Sequence, residues 1–173
     1  MKYLRPDLHR HLLTDVTPED IRGLGATCIL LDADNTSSYD GTTKPLPGSR
    51  EWVQSMKDEG FTVLLLSNAK EERAGILARE YDIPVVARAL KPTPFGFFRA
   101  QKHLRCRRRD MVMIGDQLFT DIKGARRAGV HCIYVDRYAK ENRMWYWYPF
   151  VRTAEAIILF LQEAIDWVRG KSN

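Results

Sequence analysis

At 173 residues the chain has the length of one ordinary domain, and two full domains would leave each poorly buried. Hydrophobic residues at 45% and charged residues at 28% exclude a disordered chain and a collagen-like or low-complexity one. Lysine plus arginine outnumber aspartate plus glutamate by 27 to 22, a net charge of +5, which favours an anionic partner such as phosphate, nucleic acid or an acidic membrane surface without choosing among them.

Pro6, Asp7, His9, Arg10 and His11 occupy the place where a secretory signal needs an apolar stretch, so residues 1–25 read as an extension of a chain expected in the cytoplasm or an organelle interior. The first apolar run, residues 28–31, has strand length and ends in Asp32-Ala33-Asp34-Asn35-Thr36. Side chains two apart on an extended backbone share a side; paired carboxylates there serve either chemistry or a helix cap or Asx turn. A helix is predicted over 49–59, stopped by Gly60, and a strand over 61–66. That strand ends in Ser67-Asn68, ahead of a predicted helix over 70–81. Alone, this reads as an N-cap as readily as a phosphate cradle.

A strand over 83–86 precedes Lys91-Pro92, and the proline biases the lysine toward an extended backbone. A helix over 94–104 follows, then a strand over 111–114 ending in Gly115-Asp116-Gln117-Leu118-Phe119-Thr120-Asp121. Glycine permits close backbone approach there, and two carboxylates flank the start of a helix over 120–128. Gly129 stops that helix, and the last strand spans 130–135. Aromatic residues 144–150 come next, and Thr153 caps a final helix running to about Val168. The apolar stretch 156–161 is too short to span a bilayer. Cys28, Cys106 and Cys132 are odd in number, far apart and without a Cys-x-x-Cys pair, so three reduced thiols are expected, with neither a disulfide nor a zinc site.

Strands alternating with helices imply a parallel α/β sheet with right-handed crossovers, whose loops leave the carboxyl ends of the strands on one edge. Asp32, Asp34, Ser67, Lys91, Asp116 and Asp121 all fall at or beyond such ends. In this order, Asp32-Ala33-Asp34-Asn35-Thr36, Ser67, Lys91-Pro92 and Gly115-Asp116-x-x-x-x-Asp121 resemble the haloacid dehalogenase-like (HAD) phosphohydrolase superfamily over residues 28–135. Leu4-Arg5-Pro6-Asp7, Val16-Thr17-Pro18-Glu19-Asp20, Ser67-Asn68, Glu72-Arg73 and Gly115-Asp116-Gln117-Leu118 are similar to its YqeG-like subgroup of small phosphatases. A mitochondrial branch of that resemblance removes phosphate from phosphatidylglycerophosphate. Ala33 and Ser37 depart from the aliphatic residues usual in the subgroup.

The resemblance implies one three-layer Rossmann-like domain with a mainly parallel sheet and no substantial cap domain. Its catalytic core would cover 26–136, followed by an aromatic loop and helix over 137–173. Mg²⁺ suits carboxylate oxygens; Asp32 and Asp116 are the expected side-chain ligands, and the resemblance adds the backbone carbonyl of Asp34. Asp32 is the expected nucleophile and Asp34 the acid and base. Ser67, Asn68 and Lys91 are expected to hold the phosphoryl group, with Asp121 orienting Lys91 or the metal's water.

The short intervals between these positions leave no room for a lid, which favours a large or amphiphilic phosphate ester, or a second subunit covering the site. Lys44, Lys70, Arg73, Arg137, Lys140 and Arg143 are placed to steer an anionic substrate on the catalytic edge. Arg105, Arg107, Arg108 and Arg109 belong to the opposite edge and read as a solvated surface. A phospholipid at the inner face of a membrane is therefore one expected substrate and a soluble sugar, nucleotide or phosphoprotein another; a homo-oligomer is compatible with either. From other classes, a basic RNA-binding module would rest on the net charge and on 4 Trp, 7 Tyr and 7 Phe, although nucleic acid is not the expected partner. A phosphoacceptor receiver would carry its acceptor on a later strand than the first acidic pair.

Overall fold

The structure, a computed structural model, describes residues 2–138, 153–158, 160 and 161. Six strands, β1 (Leu8–Arg10), β2 (Cys28–Leu31), β3 (Thr62–Leu66), β4 (Val85–Val86), β5 (Met111–Gly115) and β6 (His131–Val135), form one sheet in the order β1-β6-β5-β2-β3-β4. Every pairing is parallel. Helices α1 (Pro18–Gly23), α2 (Ser49–Asp58), α3 (Glu71–Tyr81), α4 (Phe95–Leu104) and α5 (Lys123–Ala128) complete the first 140 residues, which form one compact unit; residues 141–173 form another.

The central strands are apolar on both faces because both are covered. Ile29, Leu31, Val63, Leu65, Val112 and Ile114 pack with Trp52, Val53 and Met56 of α2 and Leu77, Ala78 and Tyr81 of α3. Their alternates Leu30, Leu64, Leu66, Met111 and Met113 are equally buried, as are Phe97 and Ala100 of α4 and Ala125 and Ala128 of α5. Each fully buried leucine or isoleucine contributes about 1.5–3 kcal/mol. The result is the expected α/β three-layer core, and among the described residues no cap domain interrupts it. In its place, residues 32–48 turn back through short bridges between Asp34 and Ser38 and between Ser38 and Pro45.

Topology fixes where a site can form. From β2 the chain winds to β3 and β4, then crosses by α4 to the other side of β2 and winds on to β5 and β6. Strand order therefore reverses between β2 and β5, which opens a crevice beyond their carboxyl ends. Leu31 lies beside Leu65 on one side and Ile114 on the other, so the residues after these three strands emerge together.

Differences from the sequence reading have local causes. β1 was not expected, because Leu8, His9 and Arg10 are all half-buried and show no alternation. It is held by partners instead: Asp7 accepts from the Cys132 N–H at 2.9 Å and from Arg126 at 2.7 Å, and His9 and His11 share the two oxygens of Asp136. α1 begins with Pro18 and a reciprocal cap between Thr17 and Asp20. β4 is shorter than 83–86, since the Ile83 N–H donates to the Ala78 carbonyl and closes α3. The 120–128 helix starts earlier, as a π-turn over Leu118–Ile122 whose Ile122 N–H reaches the Gln117 carbonyl.

The expectation of three reduced thiols is corrected: Cys28 and Cys106 are joined as a disulfide, and Cys132 alone is free and buried. The α4 crossover brings Cys106 back beside the start of β2, with a Cα separation of 6.9 Å across 78 positions, a proximity that no local pattern encodes. Residues 153–158, 160 and 161 are helical, within the span expected for the final helix. Aromatic residues 144–150, Lys140, Arg143 and the end of that helix near Val168 lie outside the described residues. Among the described residues no helix is long and apolar enough to cross a membrane.

Candidate active site

Asp32 leaves β2 with its N–H still on the sheet ladder, donating to the Ile114 carbonyl at 3.0 Å. Asp116 leaves β5 one position beyond Gly115, and the π-turn that follows swings Asp121 back toward it. Carboxylate oxygens of Asp32, Asp116 and Asp121 all lie within 4.8 Å of one another, and all three residues are buried.

Lys91 reaches into this group from the loop after β4. Its ammonium donates to Asp32 at 2.5 Å and to the Leu66 carbonyl at 2.9 Å, and forms an ion pair with Asp121 at 2.7 Å. Asn68 fixes the lysine's backbone from both sides: its amide nitrogen donates to the Lys91 carbonyl at 3.0 Å, and its amide oxygen accepts from the Lys91 N–H at 2.8 Å. The Asn68 side chain thus supports Lys91. The Ser67 hydroxyl is buried and accepts from the Ala69 N–H at 3.1 Å.

The charges do not balance without help. Burial pushes the Asp32 carboxyl well above its ordinary 3.8, and the neighbouring Asp121 and Asp116 charges add to the rise against the pull of Lys91. Burial alone would lower Lys91, yet the charges of Asp121 and Asp32 hold it above its ordinary 10.5. One ammonium facing three buried carboxylates leaves a deficit that a divalent cation corrects. An all-oxygen donor set at the sheet's crevice fits a hard cation such as Mg²⁺.

Asp34 is placed differently. Its side chain stands apart from the three clustered carboxylates and is gripped by Arg73, with nitrogen–oxygen distances of 2.6 and 2.7 Å, while the Gly41 N–H adds a third bond at 2.8 Å. Burial would raise its pKa, but the Arg73 fork and the Gly41 N–H hold it below the ordinary 3.8. Sequence reasoning placed Arg73 on this edge as a steering charge; its pairing with Asp34 across 39 positions carries no sequence signal.

The polar residue at 37 also acquires a reason. The Ser37 hydroxyl donates to the Asp32 carbonyl at 2.7 Å. The Ser37 carbonyl accepts from the Tyr81 hydroxyl, which in turn contacts the Ser49 hydroxyl at 3.0 Å. This buried chain ties the loop after Asp32 to α2 and α3.

Gly115 is required by contact. A Cβ there would stand 2.5 Å from an Asp121 carboxylate oxygen and 2.6 Å from its Cγ. Gly115→Ala is expected to displace Asp121 and destabilise the fold by about 1–3 kcal/mol, with weaker stabilisation by added Mg²⁺. Thermal unfolding with and without the ion measures both.

Comparison with known proteins follows the same lines. The chain matches the haloacid dehalogenase-like hydrolase family over residues 5–129. It is 34% identical over 134 residues to "Probable phosphatase YqeG" of Bacillus subtilis (strain 168), covering 78% of each chain. It is 30% identical over 148 residues to a phosphoglycolate phosphatase of Nitrosospira multiformis, covering 78% of this chain but 63% of that enzyme. A solved structure of an uncharacterized protein from Listeria monocytogenes serotype 4b is similar with a TM-score of 0.55 at 20% identity, covering 79% of this chain and 98% of that one; at this identity the likeness shows the fold alone.

Proposed function

Because the chain belongs to the haloacid dehalogenase-like hydrolases, in their YqeG-like phosphatase subgroup, we propose that it cleaves phosphate monoesters by passing the phosphoryl group through Asp32, with Mg²⁺ as the cation. The observation that carries this reading is the convergence of Asp32, Asp116 and Asp121, with the ammonium of Lys91 paired to Asp32 and Asp121. Asp32, Asp116 and the Asp34 backbone carbonyl would hold Mg²⁺, which would supply neutralisation of the phosphoryl oxygens.

A carboxylate oxygen of Asp32 attacks phosphorus in line, and the bond to the ester oxygen breaks as the new bond forms. Asp34 gives a proton to the departing alkoxide. It then takes one from water, which attacks phosphorus, breaks the bond to Asp32 and releases orthophosphate. The Ser67 hydroxyl and neighbouring N–H groups hold phosphoryl oxygens, and Lys91 offsets the charge shared by phosphate and Asp32. Asp121 positions Lys91. Arg73 orients Asp34 and favours its ionised form, the one that accepts a proton from water; the earlier proton donation requires the Arg73 fork to open so that Asp34 enters that step protonated.

An amphiphilic ester, phosphatidylglycerophosphate in particular, is the substrate we favour. Leu90 and Phe95, 62% and 63% exposed, lie on either side of Lys91-Pro92 in the chain and offer apolar contact, and among the described residues no cap domain encloses a small molecule. The second reading, a small soluble ester, is favoured by the likeness to the phosphoglycolate phosphatase.

Chelator-treated protein is the starting point of the test. Phosphate release is expected to be absent until Mg²⁺ is added, and then to be faster from phosphatidylglycerophosphate in vesicles than from phosphoglycolate. Release that survives chelation rejects the metal-dependent reaction. Preference for phosphoglycolate rejects the lipid substrate and leaves the chemistry standing.

A further inference from the structure

The edge of the sheet opposite the carboxylates carries a second concentration of charge. Arg107, Arg108 and Arg109 lead into β5, and Arg126 and Arg127 close α5 ahead of β6; with Gln101 they line an open groove of about 690 Å³. From sequence, the first three belong to a solvated surface, and only the fold brings the α5 pair to meet them.

Two of these guanidinium groups are fixed in advance. Arg108 donates to the Ala128 carbonyl at 3.2 Å and lies over the Phe98 ring, 5.4 Å from its centroid. Arg126 donates to the Arg5 carbonyl at 2.8 Å and pairs with Asp7 at 2.7 Å. Arg107 and Arg127 are exposed, and their side chains bond to no other described residue. Facing the five arginines are Asp7, Asp110 beside Arg109 at 3.7 Å, and the carboxyl ends of α4 and α5. A helix end carries about half a negative charge, so roughly two positive charges stay uncompensated.

Guanidinium forks take phosphoryl oxygens in pairs. The volume suits a small ligand larger than one phosphate, within the ~300–1,000 Å³ range of such sites. No aromatic ring is among the lining residues, so the groove lacks the aromatic platform on which single-stranded nucleic-acid sites stack their bases. We propose that this groove binds a soluble oligophosphate anion, a chain of linked phosphoryl groups, with Arg108 and Arg126 as preset contacts and Arg107 and Arg127 closing on the ligand. The site lies at the far ends of the strands from the carboxylates and does not depend on the reaction proposed above.

Calorimetric titration of the full chain in the presence of chelator tests this, with tripolyphosphate, orthophosphate and a single-stranded oligonucleotide as probes. Tripolyphosphate is expected to bind one to one and about tenfold or more tighter than orthophosphate. The Arg107→Ala/Arg127→Ala variant is expected to weaken it by about tenfold while leaving phosphatase activity within about twofold. Asp32→Asn is expected to leave it unchanged. Undiminished binding by the double-arginine variant overturns the assignment, as does loss of binding in Asp32→Asn, which would move the anion to the catalytic edge. An oligonucleotide that binds more tightly than tripolyphosphate overturns it in favour of a nucleic-acid backbone.

Discussion

Asp32→Asn is expected to lower Mg²⁺-dependent phosphate release by about 10⁴-fold or more, because an amide oxygen does not replace the attacking carboxylate. The same change is expected to stabilise the metal-free fold. Asp32 is one of three buried carboxylates served by a single ammonium, and burial together with Asp121 already pushes its pKa upward. Removing one negative charge from that group relieves repulsion while the amide oxygen still accepts from Lys91. The expected pair of results, a dead enzyme that melts at a higher temperature in chelator, is the signature of a site that sacrifices stability for chemistry. Kinetics on a chromogenic phosphate monoester and thermal unfolding in chelator supply the two readings. An Asp32→Asn protein that keeps its metal-dependent turnover removes Asp32 from the role of nucleophile.

What was legible in the sequence follows from the range of each interaction. Buried parallel strands must be apolar on both faces, so β2, β3, β5 and β6 show as short aliphatic runs, and the polar residues that end three of them, Asp32, Ser67 and Asp116, stand out against those runs. Because the connections are right-handed and the strands parallel, all such ends share one edge, and their grouping could be read without coordinates. Partners chosen across the chain could not. Arg73 finds Asp34 across 39 positions, Cys28 finds Cys106 across 78, and β1 joins the parallel ladder of β6, flanked by the Asp7 side chain on the Cys132 N–H, with no periodicity behind it. Asn68 shows a subtler limit. Its position beside Ser67 pointed to phosphate, yet its amide is bonded at both atoms to the Lys91 backbone; adjacency in sequence placed the residue at the site without saying which neighbour it serves.

Lys91→Met is the substitution with the largest expected effect on the fold. The methionine keeps much of the lysine's length but leaves Asp32, Asp121 and the Leu66 carbonyl without the ammonium that bonds the first and last and ion-pairs with Asp121. Breaking a buried ion pair from one side costs about 3–5 kcal/mol, and at about 2–4 °C per kcal/mol in a domain of this size the metal-free protein is expected to melt roughly 6–20 °C lower. The deficit is expected to depend on pH with a definite sign. In the parent protein the Asp32 carboxyl already titrates well above its ordinary 3.8, so the folded state binds more protons than the unfolded one. Stability linked to this group is present below 3.8 and is lost as pH rises through the raised folded value. Without Lys91 nothing offsets the mutual repulsion of the carboxylates, so the gap between variant and parent is expected to widen over that interval. Added Mg²⁺ is expected to narrow it, since a divalent cation offsets the same charges that the ammonium does. Melting curves across that pH range, with chelator and with the ion, carry the measurement. A variant that melts with the parent at every pH would show that the three carboxylates and Lys91 are not electrostatically linked.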